Sequence, residues 1–254
     1  MQQLRFMGSG PEDLFGVGRL RQCSDGVGGG MTLGRWATGP DRRTAVGAVG
    51  VLADEVLGYA LMASLPQGAW SISTEIWLDV VGALPGAGDT VAAHATPVQA
   101  GSYAAGELRD GAGRPIVLCR QRGRFTTPPD GYDGPVVPAG IRSARGMEEL
   151  LGLRAEGDVH VMETRPDLAN PNGVLHGGVS LAASEVVATR TRVDLGCELP
   201  TSSVHIVHTR GVPVGAPVVF RCEARHAGRS LWVSEVVGTV AGKVCTVATV
   251  TAQE

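Results

Sequence analysis

The sequence predicts an α+β protein made of one unit written twice. Each unit is an antiparallel sheet wrapped around a long apolar helix, and the two together form an internal pseudo-dimer. Three observations carry this. "VGAVGVLADEVLGYALM" (46–62) and "GGVSLAASEVVATRTRV" (177–193) are both long Ala/Val/Leu-rich runs opened by glycine. "AGSYAAGELRDGAGRPIVLC" (100–119) and "AGRSLWVSEVVGTVAGKVCT" (227–246) both read as strand, Gly-containing turn, strand with two-residue alternation. "DLFGV" (13–17) and "ELLGL" (149–153) both read as the start of a short amphipathic helix. The offsets keep one order along the chain: 149 − 13 = 136, 185 − 54 = 131 and 228 − 101 = 127.

Each unit therefore reads, in order, as a short helix, a strand, a long central helix and about four strands. The central run is apolar nearly all round, as expected of a helix buried by its own sheet. A sheet of that kind keeps a free edge strand, and the second copy is expected to pair with it. The Pro- and Gly-rich stretch "TTPPDGYDGPVVPAG" (126–140) reads as the linker. The expected units are residues 1–135 and 136–254.

The chain has 254 residues, 43% apolar, enough for a real core. A net charge of −3 argues against a nucleic-acid partner. No apolar stretch reaches the ~18 residues of a membrane span, and the N-terminus has no apolar signal region, so a cytoplasmic location is expected. Five scattered cysteines with no CxxC pair read as buried thiols in a reducing compartment. His205 and His208 form an HxxH on a strand, where residues three apart face opposite ways. They are not read as a metal pair, and neither a metal nor a cofactor is expected.

The stretch with the chemistry is "NPNGVLHGGVSLAASEVVATR" (170–190). Gly177 and Gly178 open a helix, and bare N–H groups at a helix start bind negative charge. Asn170-Pro-Asn-Gly-Val-Leu-His176-Gly177-Gly178, with the acid Glu185 nine residues after the His, resembles the hotdog-fold acyl-CoA thioesterases. It is most similar to the phenylacetyl-CoA thioesterase-like branch, and the full motif occurs only in the second half. The resemblance implies two fused hotdog domains, an acyl-CoA substrate and assembly of the tandem chain into a homodimer.

Thioester hydrolysis builds negative charge on the carbonyl oxygen. The Gly177 N–H, unshielded by a β-carbon, is suited to receive it, and Asn170 can add a side-chain N–H. His176 would order the turn or contact the thioester; Gly178 and Thr189 are read as substrate-binding. Glu185 cannot be the acid for that oxygen, because eight residues of helix separate it from Gly177 by roughly 12 Å. The acid must come from the opposing helix of the first half. Aligning Gly47 with Gly178 selects Asp54, aligning it with Gly177 selects Glu55, and the "LAD" wording favours Asp54. Asp54 would act as general base on water or attack directly. The resemblance also implies a water-orienting hydroxyl at Ser71.

The mirror site would set Glu185 and Thr189, one turn apart on one helix face, against the start of the first central helix. There Ala45-Val46-Gly47 replaces His-Gly-Gly, so a dead or weak site is expected. Arg190, Arg192, Arg210 and Arg229 are candidates for coenzyme A phosphates, with Arg229 carried forward as substrate-binding. Two rivals stand beside hydrolysis. One is a hotdog enoyl-CoA hydratase or dehydratase, whose Asp and His are five residues apart; Asp54 is followed there by Tyr59 and Glu185 by Arg190. The other is a non-catalytic acyl-CoA-binding protein.

Overall fold

In the computed structural model, which describes residues 3–8, 10–66, 69–127 and 143–254, the two units meet in one twelve-stranded antiparallel sheet. The first contains α1 (Gly10–Leu14), β1 (Arg21–Gln22), β2 (Val27–Thr32), α2 (Gly50–Ala63), β3 (Trp70–Val80), β4 (Thr90–Gln99), β5 (Tyr103–Asp110) and β6 (Pro115–Thr126). The second repeats this as α3 (Met147–Leu151), β7 (Arg154–Glu156), β8 (Val159–Glu163), α4 (Gly177–Asp194), β9 (Thr201–His208), β10 (Pro217–Ala227), β11 (Leu231–Val240) and β12 (Lys243–Gln253). Two strands, not one, precede each central helix. The expected cut near residue 135 lies outside the described residues.

The strand order is β1-β2-β4-β5-β6-β3-β9-β12-β11-β10-β8-β7. Replacing each strand of the first unit by its counterpart in the second reverses this order onto itself, so the sheet has internal two-fold character. Its centre is the β3–β9 pairing, with Ile76 opposite Ile206 and Trp77 opposite His205. The free edge that each unit would otherwise present is thereby covered by the other.

Burial explains why both central runs are helical despite weak amphipathicity. Val51, Leu52, Val56, Leu57 and Leu61 of α2 and Val179, Leu181 and Val187 of α4 are wholly buried. Against the sequence expectation, one stretch, Val46–Ala63, does have the length and hydropathy of a membrane span; 89% of it is inside the protein, where it serves as a core helix. It opens with a 3₁₀ turn at Val46–Val49 before the α-helix proper.

The two helices run antiparallel and touch near their N-termini. A β-carbon on Gly178 would lie 2.5 Å from the Gly50 carbonyl oxygen, and one on Gly47 would lie 2.5 Å from Ala182 Cα. These glycines let the backbones approach closely. The contact brings the start of each helix to the middle of the other, so an acid from one helix can reach the first turn of its partner.

Candidate active site

The loop entering α4 is built by its own backbone. Asn170 N–H donates to the Val174 carbonyl (2.8 Å) and Gly173 N–H to the Asn170 carbonyl (2.9 Å). Gly173 has φ +71°, in the left-handed region that only glycine occupies at no steric cost. The Asn170 Oδ1 accepts from the N–H groups of Asn172 (3.0 Å) and Val174 (3.4 Å). Its amide –NH2 is therefore the end left for a ligand, and Asn170 lines the cavity below. Beneath the loop, Arg165 pairs with Asp167 (3.0 Å) and donates to the carbonyls of Leu150 and Leu151.

His176 caps α4, and Gly177 is the first helical residue. Asp54 arrives from α2: its Oδ2 accepts from the Gly178 N–H at 2.7 Å and lies 3.2 Å from His176 Nδ1. His176 Nε2 is 3.0 Å from Glu55 Oε1, and the Gly178 N–H is also 3.1 Å from His176 Nδ1. The imidazole thus stands between the two adjacent acids. In the neutral ring, Nε2–H donates to Glu55 and Nδ1 accepts from Gly178. In the charged ring, Nδ1–H donates to Asp54. The Gly177 N–H has no hydrogen-bond partner among the described residues and, as the first amide of the helix, cannot find one within it.

Burial by itself would lower the His176 pKa, but the carboxylates of Asp54 and Glu55 outweigh it and hold it at about 9. Burial, reinforced by Glu12, raises Glu55 as well. Both shifts have the same linkage sign, because the folded protein keeps protons that the unfolded chain releases. The His176 contribution is complete below about pH 6.5 and lost as pH rises through about 9. Each proton involved steepens the loss by about 1.4 kcal/mol per pH unit. Thermal melts from pH 6 to pH 10 should show a falling Tm that flattens in Glu55→Gln. A flat wild-type profile through this window would contradict the coupling.

The cavity beside these groups has a volume of about 310 Å³. It follows α2 through Asp54, Glu55, Gly58, Tyr59 and Met62, two turns on one helix face. Ser71 lines it with a buried hydroxyl that has no hydrogen-bond partner among the described residues. Ser73, which the sequence reading passed over, is closer to the turn: a β-carbon on Gly177 would lie 2.6 Å from both Ser73 Oγ and Asp54 Oδ2. The mirror site explains the difference. There Thr201 donates to Glu185 Oε1 at 2.9 Å, and β9 carries its bulge between Thr201 and Ser203. β3 carries the matching bulge between Ser73 and Glu75, so Ser73 corresponds to Thr201. A one-residue bulge leaves no mark in the sequence.

Glu185 is fully buried and accepts from Thr189 (2.9 Å), Thr201 (2.9 Å) and the Gly47 N–H (3.4 Å). Burial raises its pKa. Its cavity, about 640 Å³, includes Val46, Val80, Leu84 and Arg43, but the position equivalent to Gly177 is filled by Val46. Glu185 and Thr189 are thus together, as expected, but at a different cavity from Asp54. Of the arginines, Arg210 lines the Asp54 cavity, and Arg190 is paired with Glu148 at 2.6 Å. Arg192 is 1% exposed and belongs to the core, not the surface. Arg229 sits in the exposed β10–β11 hairpin and lines neither cavity. His205 stacks on Trp77 with ring centroids 4.4 Å apart, while His208 faces the Asp54 cavity.

A family model described as the thioesterase superfamily matches residues 172–245. Among solved structures, the chain is similar to a protein assigned as an oleoyl thioesterase from Lactobacillus plantarum. The TM-score is 0.62 with 12% identity, covering 89% of this chain and 95% of that one. A 12:0-ACP thioesterase from Umbellularia californica gives a TM-score of 0.59 at 15% identity, covering 96% and 98%. An acyl-ACP thioesterase from Bacteroides thetaiotaomicron gives 0.53 at 9% identity, covering 94% and 98%. No curated protein matches. The architecture is thus that of a double hotdog: two fused domains, each a sheet around a central helix, paired as an internal pseudo-dimer. The second of them carries the stretch that matches the thioesterase superfamily.

Proposed function

We propose that the protein is a thioester hydrolase acting on acyl-coenzyme A, and that its site lies between the Asp54 carboxylate and the Asn170–Gly178 turn. The observation that carries this is the crossing of the halves: an acid from one helix meets the open N-terminal amides of the other. The Gly177 N–H and Asn170 amide face the carbonyl oxygen, where charge develops as the tetrahedral intermediate forms. Asp54 takes a proton from water as the water oxygen bonds to the carbonyl carbon. The C–S bond then breaks, and the thiolate leaves with a proton. In the nucleophilic variant, the Asp54 oxygen bonds to that carbon first and water cleaves the resulting anhydride. His176 holds Asp54 in place from one ring nitrogen while the other is held by Glu55. Ser73 is added to the hydroxyl candidates beside Ser71.

Carrier protein is the second reading for the thiol, because two of the similar full-length structures are described as ACP thioesterases. Coenzyme A and carrier protein share the phosphopantetheine thiol, and Arg210, which lines the cavity, is the arginine put forward to meet its phosphate. Thiol release measured across acetyl, medium-chain, long-chain and aromatic coenzyme A thioesters, with the same acyl groups on carrier protein, tests both. Hydration of a 2-enoyl thioester without thiol release would overturn the proposal. So would thermal stabilisation by acyl-CoA with no turnover. Glu185→Gln should leave kcat within about threefold of wild type, since removing a group outside the reacting set leaves transition-state binding intact. A loss as large as that of the Asp54 variant would move the site to the other cavity.

A further inference from the structure

Two groups facing the Asp54 cavity have no part in the chemistry above. His208, at the end of β9, and Thr246, opposite it on β12, both line that cavity. Among the described residues neither His208 nitrogen, nor the Thr246 hydroxyl, has a partner at full hydrogen-bond geometry, their contacts with Gly177 and Cys245 being looser, and all three atoms are buried. The His208 ring lies against the Gly177 main chain and within the fields of Asp54 and His176. Buried polar groups without partners cost about 1–3 kcal/mol each, and a fold retains them only for a reason.

The other half shows that the fold itself supplies no such reason. Counting from the equivalent bulge residues Thr201 and Ser73, His208 lies seven residues on (208 − 201 = 7), as does Val80 (80 − 73 = 7). Val80 lines the Glu185 cavity just as His208 lines the Asp54 cavity. The strand partner of Val80 is Val117, the counterpart of Thr246. A Val–Val pair thus fills this place where the His-Gly-Gly turn is missing, and a His–Thr pair fills it where the turn is complete. Two polar changes at one spot, both lining the Asp54 cavity with buried polar atoms that lack a full hydrogen bond, point to a small polar guest held there.

We infer that His208, supported by Thr246, is a further catalytic residue of the proposed hydrolysis, holding the attacking water between its ring nitrogen and the Asp54 carboxylate. Burial keeps the imidazole neutral, so one nitrogen donates and the other accepts. The accepting nitrogen takes one hydrogen bond from the water, whose second proton points to Asp54. The water proton still passes to Asp54, and His208 ends the step as it began. This rests on the thioesterase reading and adds a residue to it.

The test installs the sister pair: His208→Val, Thr246→Val and both together, with His208→Gln as the conservative variant. Because Val–Val packs at the equivalent place, Tm should hold or rise. In the valine variants kcat should fall about 10²-fold with KM changed by less than about threefold. An amide can hold a water, so His208→Gln should recover part of kcat. Unchanged kcat in His208→Val, or kcat and Tm falling together with no recovery by Gln, overturns the inference. Failure of wild-type protein to release thiol from any thioester would instead overturn the hydrolase reading itself, so the two failures are distinct.

Discussion

Asp54→Asn should lower kcat for thioester hydrolysis by about 10²–10⁴-fold, the range that a positioned general base supplies, and by more if the carboxylate attacks directly. The amide keeps the shape of the side chain, and its Oδ1 can still accept from the Gly178 N–H at the 2.7 Å contact. The fold and the helix start should therefore survive, and Tm should change little. What disappears is the negative oxygen that takes the proton of water. Glu55 cannot replace it, because its carboxylate is engaged by His176 Nε2 and its pKa is raised by burial. Steady-state thiol release with a melting curve on the same sample checks this. Turnover within tenfold of wild type would rule Asp54 out as the acid.

Gly177→Ala should be comparably damaging to activity while sparing the fold. The added methyl would sit 2.6 Å from Asp54 Oδ2 and 2.6 Å from Ser73 Oγ, both ends of side chains that can move. Relief of that clash displaces the two groups that act on the substrate and shields the amide meant for the oxyanion. Loss of one such donor costs about 10²–10³-fold in kcat. The neighbouring change makes the control. Gly178→Ala would meet the Gly50 carbonyl oxygen at 2.5 Å and Val51 Cα at 2.7 Å, both backbone, so the helices themselves must part. Gly178→Ala should thus lower Tm or prevent folding, whereas Gly177→Ala should fold and not turn over. Equal Tm losses in both would remove the distinction between a reacting glycine and a packing glycine.

Much of this was legible in the sequence because it depends on spacing. The repeat offsets set two similar units side by side, and 1.5 Å per residue along one helix was enough to show that Glu185 could not serve its own turn. Pairing Gly47 with Gly178 selects Asp54, and the structure shows the Asp54–Gly178 contact together with its mirror between Glu185 and Gly47. What stayed hidden depends on side-chain direction within strands. The bulges that equate Ser73 with Thr201 shift the inward-facing set by one residue without altering composition. Glu55 stood as a rival to Asp54 because aligning Gly47 with Gly177 instead of Gly178 selects it; the two acids in fact take opposite nitrogens of one imidazole. His208 looked like half of a failed metal pair, and only the cavity reveals what it faces.

The most direct measurement is a crystal structure with an acyl-coenzyme A analogue whose thioester sulfur is replaced by methylene, so that it binds but cannot be cleaved. The carbonyl oxygen is expected within hydrogen-bond reach of the Gly177 N–H and Asn170, with the Asp54 carboxylate on the open side of the carbonyl carbon. Density placing that carbonyl in the other cavity, against Gly47 and Glu185, would contradict the assignment.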